Sequence, residues 1–472
     1  MNGKKKKDGY RRKASVMRCV VIISVFLRLF ISPGVTAGGE TGGFHDLLSL
    51  HERAVDHDAE LSAARKKRDA GLEKRVQGRA FLLPVIDLSA QRAVERQWAE
   101  EPGLSGDMGR KQSRIDQTGY QLRLSQPVIH VERFYEYRQA QAAASIAELE
   151  FMQASQAFTR RLIHAYLGVL RAREEKATVV SMLEAVNAQA NQAQSRQAAG
   201  LVSRIDVQEA QAEASRARVS LIRARAELKA RLKKLESIAG ILPDRLLPLA
   251  DHFDPKDHVL CPVSDFLEWG KRQNPRIRRL KAAEDQADYR RKSTRAAFFP
   301  AVNLNFTAGR DATRFDGRDG LPARPDDETD KVRVALQLSM PLFAGGSNIS
   351  QYREAAYQLG GAKEESRASA IENRRNIEVS YQNLISLKEA TNASLLSVAV
   401  QEETLAATQR SFEAGLRDTV DVLRAQRAMF DARQAYEEAR LDYIAELAVL
   451  HEQAGRLDRA FIVSVNHLLG DD

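Results

Sequence analysis

Two hydrophobic periodicities divide the chain of 472 residues. Four segments alternate apolar and polar residues with a period of two, which is typical of β-strands that have one apolar and one polar face. Their approximate bounds are 81–97, 117–130, 300–310 and 331–343. Polar stretches rich in Gly and Asp lie between the members of each pair, near 98–116 and 311–330. The pattern therefore predicts two β-hairpins with long strands.

Long helices are predicted over most of the remaining chain. Residues 132–199 and 348–414 contain no proline and are rich in Ala, Gln, Glu and Arg, which favour helix. A helix of about 67 residues is roughly 100 Å long. Four shorter helical segments have approximate bounds 44–77, 206–240, 264–297 and 421–455. Two short helices placed end to end match one long helix, so we expect long helices paired with stacked short ones.

The order of the predicted elements occurs twice, which indicates an internal repeat. Residues 199–211 read AGLVSRIDVQEAQ, and residues 414–426 read AGLRDTVDVLRAQ. An alignment of 200–240 with 415–455 gives about fifteen identities in roughly forty positions. The sequence thus predicts an internally duplicated fold that is mainly α-helical, with four strands per chain. The two predicted repeats are 38–263 and 264–455.

Positive charge is concentrated at the N-terminus. The formal net charge is +9, and residues 1–37 hold nine basic residues against Asp8 alone. The rest of the chain is nearly neutral, which argues against a nucleic acid partner. Residues 1–37 also combine a basic stretch, the apolar run CVVIISVFLRLFI and the small residues VTA, which are the three parts of a secretory signal. Cleavage is expected after Ala37, and either Met1 or Met17 is the start.

No motif indicates an enzyme. Cys19 lies in the predicted signal and Cys261 is then single, so the mature chain has no pair for an internal disulfide. The nine histidines are scattered, and no phosphate loop, nucleophile elbow or plausible pair of catalytic acids occurs. The acidic stretch at 324–330 is interpreted as a solvated loop rather than a cation site. The sequence predicts no catalytic residue, cofactor or metal.

The predicted strands are too few to close a barrel within one chain. An open sheet in lipid would leave unpaired backbone groups in hydrocarbon, so several copies must pool their hairpins. Two copies would supply eight strands and three would supply twelve; an eight-stranded barrel is filled by its own side chains, whereas twelve strands leave room for a channel. A homotrimer is therefore favoured. The polar face that suits a wet lumen includes Asp87, Gln91, Arg123, Asn303, Asn305 and Arg333.

Three stretches carry a resemblance to a known family. They are SQPVIHVERFYEYRQAQ (125–141), AGLVSRIDVQEAQAEASRAR (199–218) and AGLRDTVDVLRAQRAMFDARQAY (414–436). These stretches resemble the TolC family of outer-membrane efflux and secretion proteins, and the similarity extends from about Phe44 to Gly455. It implies a homotrimer whose twelve-stranded transmembrane β-barrel continues as a long periplasmic α-helical barrel. The equatorial segments would be 241–263 and 456–472.

The resemblance implies a passive exit duct that works with a periplasmic adaptor and an inner-membrane ABC or proton-driven transporter. The first of the three stretches is most similar to the branch that serves type I protein secretion. The alternative is the outer-membrane component of a multidrug efflux pump. A periplasmic adaptor or tether fits less well, because an adaptor has a single helical hairpin and this chain has two. A coiled-coil spacer would need neither a signal nor amphipathic strands.

The resemblance also assigns a gate to the repeated motifs, at the periplasmic end of the helices. Asp206 matches the gating aspartate of the first helix–helix turn, and Arg417 matches its arginine partner on the second. Phe412 stands where the family has a tyrosine, so one hydrogen bond to the aspartate is missing. A simpler interpretation of Asp206 and Asp421 stays open, since acids at the start of a helix also act as caps.

A pore constriction and an adaptor-facing surface follow from the same resemblance. Asp421 matches the upper of two aspartates that ring the pore, and the lower position is Arg424, which has the opposite charge. Rings of opposite sign would roughly cancel, so the family's cation selectivity is in doubt here. The residues expected to face the adaptor are Gly200, Leu201, Gly415 and Leu416. The glycines among them can reverse the chain after a helix.

Overall fold

The computed structural model describes residues 45–102, 108–200, 202–243, 245–250, 253–317 and 327–470. The predicted signal at 1–37 and the predicted adaptor-facing residue Leu201 lie outside the described residues. Within the described ranges, no helix combines the length and the hydrophobicity needed to cross a bilayer.

Two helical hairpins dominate the structure, each made of a long and a shorter helix. The first pairs α3, Val131–Ala198, with α4, Arg204–Ala239. The second pairs α7, Ser347–Glu413, with α8, Thr419–Gln453. In α3 most residues from Phe158 onward for four turns are buried, which indicates neighbours on several sides of the helix.

The segment predicted as one helix at 44–77 is divided in the structure. It forms α1, Leu47–His57, and α2, Ala59–Ala80. Asp58 interrupts the helix because its backbone is extended, with φ −62° and ψ 117°. Its side chain accepts a hydrogen bond from the Leu61 N–H at 2.7 Å and so caps the start of α2.

The predicted helix at 264–297 is divided for a related reason. It forms α5, Val263–Gln273, and α6, Pro275–Ala296. Asn274 precedes a proline, which disfavours helical backbone at that residue. Its side-chain oxygen accepts from two backbone N–H groups at the start of α6, at 2.8 and 3.2 Å. One further helix, α9, Arg459–Asn466, lies in the segment predicted as equatorial.

Four strands form one antiparallel sheet in the order β1-β2-β3-β4. Their bounds are β1 Val85–Pro102, β2 Met108–Ile129, β3 Ala301–Gly317 and β4 Asp327–Ser339. The strands extend into the predicted polar loops 98–116 and 311–330, so the loop prediction was wrong there. Pairing of β1 with β2 continues without a break from Val85 to Pro102. Ladder hydrogen bonds join backbone groups and do not require apolar side chains.

The apolar residues of the strands fall on one face of the sheet, as the alternation predicts. Leu88, Leu122, Ala308 and Val332 lie opposite one another across the four strands. Leu88 and Val332 are 75 % and 73 % exposed, so this face is bare in the single chain. The opposite face is polar and concave. A cavity of about 230 Å³ on it is lined by residues that include Ser89, Gln91, Gln121, Thr307 and Lys331.

The main core lies halfway along α3, where chain segments from both repeats meet. Its largest fully buried side chains include Tyr166, Tyr443, Phe158 and Phe266. We call the described residues of 241–262 and 456–470 the belt. The belt is held to α3 and α8 by side chains that donate to its carbonyls: Tyr166 Oη to Leu247 at 2.7 Å, and Arg440 to Ala250 at 2.6 Å and to Phe253 at 3.1 Å.

The helices lie side by side around α3. Near its start α3 packs against α2, where a Cβ on Gly78 would lie 2.4 Å from the Ala140 Cβ. Further along, α3 contacts α4 and α8. Helices α4 and α7 therefore stand at the two sides of the described chain, and both carry exposed apolar residues. These include Ile205 and Ile222 on α4 and Ile371, Leu396 and Val400 on α7, each 52–67 % exposed.

Candidate functional site at the hairpin tips

Each helical hairpin ends in a glycine-containing turn. We call the described residues of 196–206 the first tip and residues 412–424 the second tip. Gly200 and Gly415 have φ angles of 73° and 76°, in the left-handed region that favours glycine. At the second tip, the N–H of Leu416 donates to the carbonyl of Ser411 at 2.9 Å and closes the end of α7. Both tips are tight reversals, and the Leu416 side chain is 79 % exposed.

Asp206 is the third residue of α4 and takes part in a capping box. Its carboxylate accepts from the backbone N–H of Ser203 at 2.9 Å, and its own N–H donates to the Ser203 hydroxyl oxygen at 3.2 Å. Ser203 is therefore the capping residue. Asp206 supports the helix start and lies where the helix dipole favours a negative charge.

Asp421 occupies the equivalent place in α8, but its surroundings differ. The capping residue is Asp418, whose carboxylate accepts from the Asp421 N–H at 2.8 Å. The Asp421 carboxylate lies 3.2 Å from a guanidinium nitrogen of Arg417 and 4.0 Å from one of Arg424. The aspartate is 26 % exposed, whereas the two arginines are 59 % and 78 % exposed. Two exposed arginines thus flank a partly shielded carboxylate at the second tip.

The predicted partners Asp206 and Arg417 are not brought together within the chain. Asp206 is bonded to Ser203, and Arg417 is paired with Asp421, four residues further along the chain. A local partner is within reach because Arg417 lies in the turn just before α8 and Asp421 lies in its first turn. The described chain therefore has no contact between Asp206 of the first tip and Arg417 of the second.

Phe412 is 4 % exposed and lies under a cation that the sequence analysis missed. The Arg196 guanidinium carbon is 4.2 Å from the centre of the Phe412 ring, within the range of cation–π attraction. Arg196 lies in the last turn of α3 and Phe412 in the last turn of α7, so this contact joins the two tips of one chain. The pattern of either helix alone gives no signal for such a pair.

A small second core joins the hairpins just above the tips. Its buried members are Val186, Ala190 and Ala193 of α3, Val207 and Ala210 of α4, and Leu423 of α8. The Glu213 carboxylate of α4 lies 3.8 Å from a guanidinium nitrogen of Arg427 in α8. Gln189 Nε2 and Gln426 Oε1 are buried there and have no hydrogen-bond partner among the described residues. Such unpaired polar atoms weaken the packing of α8 on α3.

The elements and turns described so far belong to a known family. The family model described as outer membrane efflux protein matches residues 50–241 and 271–456. The chain belongs to this family, which places it in the outer membrane and confirms the resemblance found in the sequence. The match falls into two segments that each contain one helical hairpin and one β-hairpin.

Individual relatives agree with the family assignment. The alkaline protease secretion protein AprF of Pseudomonas aeruginosa is 28 % identical over 433 residues, which cover 90 % of this chain and 88 % of AprF. The outer membrane protein TolC of Escherichia coli is 24 % identical over 429 residues, covering 90 % of this chain and 85 % of TolC.

The solved structures agree at the level of the fold. The crystal structure of the outer membrane protein VceC from Vibrio cholerae matches with a TM-score of 0.70 at 19 % identity and covers 87 % of this chain and 96 % of VceC. The predicted combination of a β-sheet for the membrane with a long helical part is confirmed. The homotrimer, the internal duplication and the roles of the tip residues stay predictions.

Proposed function

We propose that the chain is the passive exit duct of a tripartite export system and that it serves type I protein secretion. In this system an inner-membrane ABC transporter supplies the energy and a periplasmic adaptor docks on the duct. The observation that carries the proposal is the similarity to AprF, a protease secretion protein, over about nine tenths of both chains.

The assembled duct would be a homotrimer with a twelve-stranded barrel. In the described sheet β1 and β4 each have one neighbouring strand, so both edges offer unpaired backbone groups. The exposed apolar residues of α4 and α7 lie at the two sides of the helical part and suit contact with further copies. Closing the sheet and covering both sides at once requires a ring of identical chains.

The gate would be held by Asp206 and Arg417 from different tips, with Asp421 and Arg424 at the constriction. Arg417 would have to exchange its contact with Asp421 for one with Asp206. A solvent-exposed pair of this kind contributes only about 0–1 kcal/mol per copy. A weak latch suits a duct that is opened by an adaptor at the exposed tips around Leu416.

Deletion of the gene in a host with a neighbouring ABC exporter tests the secretion proposal. We expect the exporter's protein substrate to stay in the cell and secretion to return when the gene is restored. Continued secretion together with increased drug sensitivity would favour the second candidate, the outer-membrane component of a multidrug efflux pump. That candidate is supported by the family's description as efflux proteins.

Fractionation separates both ducts from the periplasmic adaptor or tether. We expect a heat-modifiable trimer in the outer membrane. A soluble or inner-membrane monomer would support the adaptor and contradict the duct.

A further inference from the structure

The outer part of the sheet carries arginines on the same face as the apolar rows. A row here is a set of residues that lie opposite one another across neighbouring strands. On the side of Tyr120 that is remote from the helices, the rows contain Arg92 and Arg96 of β1, Arg114 of β2 and Arg314 of β3. These rows lie toward the ends of the strands that are remote from the helices. We call Arg92, Arg96 and Arg114 the arginine patch.

The apolar rows have the height of a membrane, which fixes the level of the patch. The stretch of β2 from Ile129 to Tyr120 is roughly 30 Å long. At the usual tilt of strands in outer-membrane barrels it spans roughly 23 Å along the membrane normal, close to the apolar band of about 25 Å in such barrels. Exposed aromatic residues mark both borders, as is typical of such barrels. They are Tyr120 at one border and Phe81, Phe299 and Phe343 at the other. The patch therefore begins at the level of the outer headgroups.

A neighbouring ion pair on this face shows what full pairing looks like. Arg310 donates to both carboxylate oxygens of Asp330, at 2.6 and 2.8 Å. In the patch, Arg92 and Arg114 share the single carboxylate of Asp116 at 3.4–3.5 Å. These distances are at the limit of a hydrogen bond. The two guanidinium groups stay 70 % and 47 % exposed and are free to bind a further anion.

Like charges face each other in the outermost of these rows. Arg96 lies directly opposite Arg114, an arrangement that destabilises a sheet unless an anion neutralises it. Asp316 of β3 lies directly opposite Arg114, and Glu328 of β4 lies in the row of Arg92. Together with Asp116, three acids therefore accompany the four arginines. The patch keeps an excess of positive charge in each chain, directly above the apolar rows.

We propose that the arginine patch binds the phosphate groups of the glycolipid in the outer leaflet of the outer membrane. A guanidinium group can donate two parallel hydrogen bonds to a phosphate. The contacts of 3.4–3.5 Å to Asp116 leave guanidinium donors available for such bonds. The continuity of the patch with the lipid-facing rows selects a membrane lipid as the occupant rather than a soluble anion. The inference rests on the barrel proposed above, since only a closed sheet turns this face toward lipid.

Native mass spectrometry of the full-length mature trimer in detergent tests the inference, with lipid A that carries two phosphates as the probe. For R92Q/R96Q/R114Q we expect the affinity for lipid A to fall at least about tenfold, because charge-assisted hydrogen bonds are lost. The matched control is R123Q/R333Q, which changes arginines of β2 and β4 on the polar face and should leave the affinity unchanged. Dephosphorylated lipid A should bind the unmodified protein as weakly as lipid A binds the triple variant.

Several results would overturn the inference. One is equal binding of lipid A by the triple variant and the unmodified protein, and another is an equal loss in the control variant. Displacement of lipid A by inorganic phosphate at an equal phosphate concentration would assign the patch to a free anion instead. If the triple variant does not assemble, the single variant R96Q takes its place in the same titration.

Conductance of the same preparations in planar bilayers separates this inference from the proposed function. A conducting trimer with unchanged lipid binding contradicts the inference alone. A monomer without conductance contradicts the duct and removes the basis of the inference with it.

Discussion

The belt and the tips are built in opposite ways. In the belt, buried donors meet backbone carbonyls, and Arg440 is 4 % exposed while it holds two of them. At the tips, the charged groups are largely exposed and bond to neighbours three or four residues away. The second core near the tips is small and contains unpaired polar atoms. The middle of the helical part is therefore held firmly and its end weakly, which suits a duct that opens at the tips.

The largest expected effect is at Arg440. The substitution Arg440→Met should lower the free energy of unfolding by about 4 kcal/mol, because two buried carbonyls lose their donor. Denaturant unfolding of the trimer measures it. Arg433→Met on the same helix is the matched control, since Arg433 is 51 % exposed, and its change should stay within about 0.5 kcal/mol. Equal effects of the two variants would contradict the fixed belt.

Acid should weaken the packing of α8 on the belt, where the centre of the His451 ring lies 4.4 Å from that of Phe461. Burial lowers the pKa of His451 from 6.5 to about 4, and its Nδ1 has no hydrogen-bond partner in the described structure. The unfolded chain therefore takes up a proton below pH 6.5 that the folded chain refuses until about pH 4. Stability should be complete above pH 6.5 and fall by about 3 kcal/mol as the pH drops to 4. Unfolding midpoints between pH 7 and 4 measure this. His451→Gln should remove the contribution of this residue and leave those of His51, His164 and His258, whose pKa values burial also lowers.

At the tips, removal of the proposed latch should change opening more than stability. Asp206→Ala with Arg417→Ala should cost about 1–2 kcal/mol of local stability, from the capping box and the latch together. It should raise single-channel conductance in planar bilayers. Ser203→Ala is the control, because it breaks the capping box and keeps both charges. Conductance that rises equally in the control, or not at all in the double variant, would remove Asp206 and Arg417 from the latch.

The smallest effect on stability is expected at Arg424, where the readout is ion selectivity. Arg424 lies beside Asp421, so Arg424→Asp replaces a positive charge with a negative one at the second tip. The reversal potential in a salt gradient should shift toward cation preference, with a change in stability of about 0.5 kcal/mol or less. Arg204→Asp at the first tip provides the comparison and should shift the potential less. Equal shifts would show that the second tip does not form the constriction.

The fold was largely readable from the sequence because its elements are long and periodic. Long stretches without proline predicted α3 and α7, and strict alternation predicted which strand residues share a face. The strand ends remote from the helices were missed because apolar and polar residues do not alternate regularly there. The helix breaks at Asp58 and Asn274 have local signals in the sequence, a capping acid and an Asn–Pro step. These signals were overlooked because the composition on both sides favours helix.

The site was readable only in part. Arg417 lies just before α8 and Asp421 in its first turn, so their spacing of four residues in the chain brings them together. The stacking of Arg196 on Phe412 joins helices from different repeats and has no local signature. Which tip meets which in the assembled protein depends on other copies of the chain, and a single sequence gives no register for that contact.

The unpaired edges of the sheet, β1 and β4 within the described residues, have a consequence for the biogenesis of the protein. In the proposed homotrimer each edge strand pairs with a strand of a neighbouring subunit, so we expect membrane insertion and closure of the barrel to be coupled. A subunit with a defective edge would then prevent closure of every trimer that contains it. A defective allele with a blocked edge should be dominant over the intact gene.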